Sequence, residues 1–266
     1  MKIAVCVKQV PDSWAEKKML NGLLDRDGVD AVLNDLDEYA VEEALKLVEA
    51  HGGNGEGGSN TVTLISMGPE RTKEAVRKAL SMGADEAIVV TDPALVGSDV
   101  LTTSRVLAAV IAGGGFDLVF CGTESTDARM SVVPAMLAQR LGWAQLTFAG
   151  SVQVDPDSRS VTITRVTEAG VDTIKAKFPA IISVNDKINE PRYPSFKGIM
   201  ASKKKTIDVR ALAALGLDAA SVGVSGAWSI VNDATPRPPR AAGIKIVDEG
   251  AAGEALAAFL AEKKFI

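Results

Sequence analysis

Apolar positions follow two periods along the first half of the chain. Ile3 to Val10 is a short, nearly continuous apolar run of strand length. Glu38 to Ala50 carries Ala40, Val41, Ala44, Leu45 and Val48 with a helical period, so one face of a helix is apolar. His51 to Asn60 is glycine-rich and reads as a loop. Thr61 to Met67 reads as a strand, Gly68-Pro69 as a turn, and Glu70 to Met82 as a helix with Pro69 at its start and Gly83 at its end. Ala87 to Thr91 (strand), Asp99 to Ala112 (helix), Asp117 to Cys121 (strand) and Ser131 to Leu141 (helix, closed by Gly142) continue the alternation. Strands separated by helices of this length imply a parallel sheet with helices on both faces.

Beyond Gly142 the pattern changes. Gln145 to Val154, Ser160 to Val166, Val171 to Phe178 and Ala180 to Val184 read as successive strands, with turns at Asp155-Pro156-Asp157 and Glu168-Ala169-Gly170. This predicts a meander appended to the parallel sheet. From about Asn189 the regular pattern is lost. Pro191, Pro194, Pro236, Pro238 and Pro239 interrupt it, and a helix returns only over Glu254 to Lys263. The expected fold is α/β: a Rossmann-like, mostly parallel sheet with an antiparallel extension and an extended C-terminal arm. Residues 1–189 would form a nucleotide-binding domain. Residues 190–266 would supply a docking loop and an arm that packs on a partner subunit.

Composition narrows the function. Across 266 residues, 47% are apolar and 24% charged, and the net charge is -5, which gives no basic surface for a nucleic-acid backbone. No apolar run approaches the roughly 20 residues that span a bilayer, so no direct membrane insertion is expected. The opening Met1 to Lys8 reads as a buried first strand rather than a leader, and a cytoplasmic location is expected. With a single histidine, His51, in a loop and two cysteines, Cys6 and Cys121, in apolar runs, neither a metal site nor a His-based catalytic unit is expected.

In such a sheet, ligands bind beyond the carboxyl ends of the strands. Three segments fall there: Cys6 to Val10, Ser66 to Pro69, and Gly122-Thr123-Glu124-Ser125-Thr126-Asp127. In the third, a strand ends, a glycine follows, and a polar loop leads into a helix whose first N–H groups favour phosphate. There is neither a Walker A motif nor a GxGxxG at any strand–helix junction. The spacing alone fits an ordinary capped turn as well as a nucleotide site. Asn34-Asp35-Leu36-Asp37 precedes the first helix; Asp35 or Asp37 caps it, or the segment holds an adenine edge or a ribose.

The segment Asn189-Glu190-Pro191-Arg192-Tyr193-Pro194, continuing through Ile199-Met200 to Lys203-Lys204-Lys205, resembles the signature of electron transfer flavoprotein beta subunits. The likeness extends over Val7-Lys8-Gln9-Val10-Pro11-Asp12, Asn34 with Glu38 to Ala44, Gly68-Pro69, Arg77 to Asp85, Gly122 to Asp127, Leu141-Gly142-Trp143 and Thr235-Pro236-Arg237-Pro238-Pro239. The resemblance implies an electron carrier rather than an enzyme, with no catalytic residue of its own. It implies an alpha–beta heterodimer whose redox FAD sits mainly on the alpha subunit, and a structural AMP on the beta subunit. The AMP contacts would fall at Cys6, Asn34, Asp35, Leu36, Asp37, Met67, Gly122, Thr123, Glu124, Ser125, Thr126, Asp127, Ala128, Arg129, Met130, Ser131, Val132 and Val133. Leu36 and the Ser13–Trp14 region would approach the flavin. Pro194, Ser195, Phe196 and Lys197 would dock on acyl-CoA dehydrogenases or other flavin dehydrogenases, with Phe196 as the apolar anchor. Electrons would pass on to a quinone reductase.

The chain departs from the family at Ala128, where the family has glycine. Arg129 compensates by contacting the phosphate, or fills the pocket together with Met130. Two rival functions are a bifurcating flavoprotein with FAD in the beta site and an adenine-nucleotide-binding regulatory domain. The lysine run reads as a solvated surface or as a positive rim that steers an acidic partner.

Overall fold

The computed structural model describes residues 1–55, 57–235 and 237–266; Pro236, named above in the proline-rich stretch, lies outside the described residues. The chain divides into two compact units, Met1–Asn232 and Asp233–Ile266. In the first, the elements run β1 (Lys2–Cys6), β2 (Gln9–Pro11), β3 (Met19–Leu20), β4 (Leu23–Leu24), β5 (Ala31–Leu33), α1 (Asp35–Ala50), β6 (Thr61–Met67), α2 (Thr72–Met82), β7 (Glu86–Val90), α3 (Val100–Gly114), β8 (Leu118–Gly122) and α4 (Val133–Leu141). They continue with β9 (Ala144–Ala149), β10 (Ser151–Asp155), β11 (Ser160–Thr167), β12 (Gly170–Lys177), β13 (Ala180–Val184), α5 (Phe196–Ser202), β14 (Ile207–Arg210) and α6 (Gly223–Gly226). The second unit contains α7 (Ala252–Glu262).

The central sheet has seven strands in the order β14-β7-β6-β1-β8-β13-β9, and every pairing in it is parallel. β8 and β13 are buried at every position, as strands covered on both faces must be. Side chains alternate faces along a strand, so β1 and β8 feed two cores. Ile3, Val5, Leu118 and Phe120 pack with Val41, Leu45, Val76 and Leu80 of α1 and α2. Ala4, Cys6, Val119 and Cys121 pack with Val106, Ile111 and Leu137 of α3 and α4. The parallel α/β class expected from the strand–helix alternation is the class observed.

Several boundaries differ from the sequence reading. The run Ile3 to Val10 does not form one strand. β1 ends at Cys6, and Gln9–Pro11 turns away to pair antiparallel with β5. The expected four-strand meander is a three-strand one, β10-β11-β12, inserted between β9 and β13, which both join the parallel sheet. The signal was present: Ala180 to Val184 is apolar except for Ser183 and wholly buried, whereas β12 is exposed at most positions. Helix α1 starts at Asp35, before the expected Glu38, and α4 starts at Val133, after the expected Ser131.

Residues 190–232 also build more structure than an arm. β14 adds an edge strand beside β7. Arg192 donates to both oxygens of Glu42, at 2.7 and 3.0 Å, and to Glu49, at 2.6 and 3.0 Å, pinning the segment to α1. Gly198 lets α5 approach α2, because a Cβ there would sit 2.4 Å from the Ser81 carbonyl oxygen. Lys205 leaves the solvated lysine run and closes the end of α2. Its Nζ donates to the carbonyls of Leu80 and Gly83, both at 3.2 Å, and Ala84, at 2.5 Å. Burial lowers its pKa, with Asp85 acting upward.

Candidate functional site

The carboxyl ends of β1, β6 and β8 meet the start of α1 at one edge of the sheet, and a buried asparagine joins them. Asn34 is fully buried. Its N–H donates to the Lys8 carbonyl at 2.9 Å, its Nδ2 donates to the Glu124 carbonyl at 2.9 Å, and its Oδ1 accepts from the Thr126 N–H at 3.0 Å. One residue, through its backbone and its side chain, thus ties the segment after β1, the helix α1 and the loop after β8 together. Gly122 is needed for that approach: a Cβ there would lie 2.6 Å from both Asp37 Oδ1 and the Leu36 carbonyl oxygen. The glycine serves contact with α1, so the loop is fixed by the protein's own packing.

Asp37 does not cap α1 through its side chain; Asn34 is the residue at the cap position. The Asp37 carboxylate instead accepts from the Lys8 N–H at 2.8 Å. Burial pushes its pKa up to about 7, against the opposing pull of hydrogen bonds from Asn34, Lys8 and Gly122 and of the Lys8 charge.

Two cations converge on the last residue of the loop. Lys8 Nζ lies 2.8 Å from Asp127 Oδ1, and Arg26 lies 2.6 Å from Asp127 Oδ2. The aspartate side chain is 1% exposed, and those of Lys8 and Arg26 are 37% and 38% exposed. Lys8 Nζ also donates to Ser125 Oγ at 3.2 Å, and Lys17 donates to the Thr126 carbonyl at 3.2 Å. Burial acts to raise the Asp127 carboxyl, yet the Lys8 charge and hydrogen bonds from Lys8, Ser125 and Arg26 hold it well below the usual carboxylate range. Burial lowers the Lys8 ammonium despite its partner Asp127. Two cations on one carboxylate leave an excess of positive charge beside the loop. The first turn of α4, whose leading N–H groups have no intrahelical acceptor, begins just beyond it. That combination suits an anion such as a phosphate.

The structure brings most of the sequence-derived positions to this edge. Cys6 ends β1 and is buried, Met67 ends β6 and is half-buried, and Gly122 ends β8. Thr123 donates from its hydroxyl to the Val184 carbonyl at 2.7 Å. Glu124 accepts from the Ser131 hydroxyl at 2.7 Å and pairs with Arg129 at 3.8 Å. Asp35, Ala128, Arg129 and Met130 are exposed, and Leu36, Ser131, Val132 and Val133 are half-buried. Arg129 and Met130 do not fill a pocket: the Arg129 side chain is 70% exposed. Arg129 and Ser131 both adopt left-handed backbone, at φ 50° and 55°. Lys8, Lys17 and Arg26 are the charged residues missing from the contact positions that the resemblance implied. Lys8 had a legible signal, a cation directly after a wholly apolar run. Arg26, in Asp25-Arg26-Asp27-Gly28, had none.

The second cluster lies at α5. Ser195 Oγ accepts from the Gly198 N–H at 3.1 Å and so caps the helix. Phe196, its first residue, is 80% exposed beside exposed Tyr193, Ile199 and Met200. Pro194 is half-buried and Lys197 exposed. A cavity of about 220 Å³ opens beside this cluster, between Tyr39, Lys78, Met82 and Pro191–Pro194. Trp14 is exposed on its own loop, as is Ser13. No helix among the described residues is long and apolar enough to cross a membrane.

A family model described as the electron transfer flavoprotein domain matches residues 21–215. The chain is 47% identical over 267 residues to the electron transfer flavoprotein subunit beta of Mycobacterium tuberculosis, covering 99% of each chain. It is 36% identical to the protein of the same name from Megasphaera elsdenii, over 94% of this chain and 93% of that one. It is 33% identical to Protein FixA of Azotobacter vinelandii, over 93% of this chain and 88% of that one.

Proposed function

Because the chain belongs to the electron transfer flavoprotein family as a beta subunit, we propose that it pairs with an alpha subunit and carries an AMP at the Gly122–Val133 edge, the redox FAD lying mainly on the alpha subunit. Electron transfer is the role of the family. The observation that supports AMP here is the pairing of Lys8 and Arg26 on the buried Asp127. These cations, with the first turn of α4, offer an anion seat beside a loop that Asn34 holds in place. FAD, when bound in the heterodimer, supplies the redox chemistry. This chain's part is to bind, orient and dock. Trp14, 95% exposed, is available to cover the flavin at the subunit junction. Asn34 and Asp37 fix the start of α1, and with it Leu36.

In this reading electrons arrive from acyl-CoA dehydrogenases or other flavin dehydrogenases docked at Pro194–Lys197, and leave to a quinone reductase. The heterodimer works in the cytoplasm. The second unit, Asp233–Ile266, exposes Ile244, Val247, Leu256, Phe259, Phe265 and Ile266, apolar surface suited to a large interface with the alpha subunit. Denaturing the purified heterodimer and assaying the released nucleotides should yield one FAD and one AMP. FAD without AMP would sink the nucleotide assignment. Two FAD would point to the bifurcating arrangement.

Phe196 gives a separate test. An aromatic side chain 80% exposed at a helix start has little to lose from the fold itself. As the anchor of a docking surface, its truncation to alanine should weaken dehydrogenase binding by about 2 kcal/mol, roughly thirtyfold in affinity. Flavin content and melting temperature should stay unchanged. A parallel loss of flavin and of docking would show Phe196 to be structural.

A further inference from the structure

The two cysteines of the chain are neighbours in space, and the function proposed above uses neither sulfur. Cys6 and Cys121 are in-register partners on the adjacent parallel strands β1 and β8. Both side chains point into the same core, among Ala4, Val119 and Leu137. Both are reduced and buried, at 9% and 5% exposure. The neighbouring Cys6 thiol, together with burial, raises the Cys121 thiol well above its ordinary range. Each is the last or next-to-last residue of its strand. Lys8 and the Gly122–Asp127 loop, which flank the candidate anion seat, follow directly.

We propose that Cys6 and Cys121 form an oxidisable dithiol beneath the candidate nucleotide loop, closed to a disulfide by a hydroperoxide. Adjacent strands lie about 4.8 Å apart, inside the roughly 4.4–6.8 Å Cα separation that a disulfide spans. The Cβ atoms of a parallel pair must draw together slightly to reach the mean disulfide separation of about 3.8 Å. The bridge is therefore mildly strained, which makes it labile and easily reduced, the character of a regulatory rather than a structural disulfide. The chemistry balances with hydrogen peroxide. One thiol is oxidised to a sulfenic acid while the peroxide O–O bond breaks and one water leaves. The second sulfur then attacks the sulfenic sulfur, the S–S bond forms, and a second water departs. Closure would tie together the two strand ends that present Lys8 and Gly122. Both cysteines lie at the strand ends that form this edge, so a bound nucleotide would shield them; that shielding rests on the AMP assignment, whereas the dithiol does not.

The test treats the heterodimer, stripped of bound AMP, with hydrogen peroxide, with and without AMP added back, then denatures it in an alkylating agent and maps the peptides without reduction. The expected result is a Cys6–Cys121 cross-linked peptide with both thiols lost together, reversed by dithiothreitol and missing in Cys6→Ser and in Cys121→Ser. AMP at about 100 times its Kd should slow closure by about 100-fold, the factor by which it depletes the nucleotide-free form. Two thiols that still alkylate, or one oxidised to a sulfinic acid without a cross-link, would overturn the dithiol. Closure at the same rate with and without AMP would support the dithiol and overturn the nucleotide assignment instead.

Discussion

Replacing Asp127 with alanine should destabilise the heterodimer by about 2–3 kcal/mol and release its AMP. Removing one member of a fully buried ion pair costs about 3–5 kcal/mol, because the partner charge is left unpaired. Here the carboxylate is buried but Lys8 and Arg26 are each more than a third exposed, so both cations recover part of their hydration and the cost falls below that range. The loop would lose more than charge. Asp127 is the point at which Lys8 at the end of β1 and Arg26 beyond β4 are held against the loop after β8. Without it the two cations would repel one another. The acid limb provides a second reading. Asp127 titrates well below its unfolded value, so its contribution is fully present above an unfolded pKa of about 3.9 and is lost as pH falls through the folded value. The alanine variant should therefore show a shallower loss of stability in acid. Urea unfolding of both proteins at one protein concentration, at pH 7 and below pH 4, measures both effects. A difference within about 0.5 kcal/mol, the usual range for a surface substitution, would mean that the cluster is ornamental.

The contrast between Asp127 and Asp37 shows what a sequence can and cannot reveal. Both aspartates stand beside strand ends in the linear pattern, and both were legible as members of a candidate site. Their environments were not. Asp127 meets cations from residues 8 and 26, positions far from it in the chain and joined only by the tertiary fold. Asp37 meets mostly backbone N–H groups. The parallel sheet itself was legible because strand–helix alternation is a local, periodic signal, and because fully apolar runs such as Ile3–Val7 report burial on both faces. The insertion of β10–β12 between two parallel strands was misread, since consecutive strand-like runs look alike whether the next strand pairs beside them or returns to the main sheet. Lys205 carried no signal separating it from Lys203 and Lys204. Only the fold brings the carbonyls at the end of α2 within its reach. The exposed Phe196 was legible for the opposite reason: flanking Pro194 and Gly198 exclude a regular core element, a purely local constraint.

Raising the pH from about 4 to 7 should lower the stability of the protein by up to about 4 kcal/mol, and Asp37→Asn should flatten that decline. The folded-state value of Asp37 is about 7, against about 3.9 in the unfolded chain. Between the two, the folded protein holds a proton that the unfolded chain has released. Stability is thus highest below the unfolded value, falls through the window, and levels off above the folded value. Three units at 1.36 kcal/mol each set the approximate upper bound of 4 kcal/mol. The other shifted carboxylates act elsewhere. Asp127, Asp99, Asp117, Glu49, Asp155 and Asp248 are all lowered, so their contributions are lost as pH falls below about 5. The slope between about pH 5 and 7 therefore isolates Asp37 among the shifted carboxylates. An asparagine retains an acceptor for the Lys8 N–H but carries no titrating proton, so the slope should vanish even if the new amide packs less well against Gly122 and shifts the whole curve. Measuring unfolding free energy at half-unit pH steps separates slope from offset. An undiminished slope in the asparagine variant would assign the proton to another group. A flat wild-type curve would mean that the hydrogen bonds from Asn34, Lys8 and Gly122 outweigh burial and keep Asp37 ionised throughout.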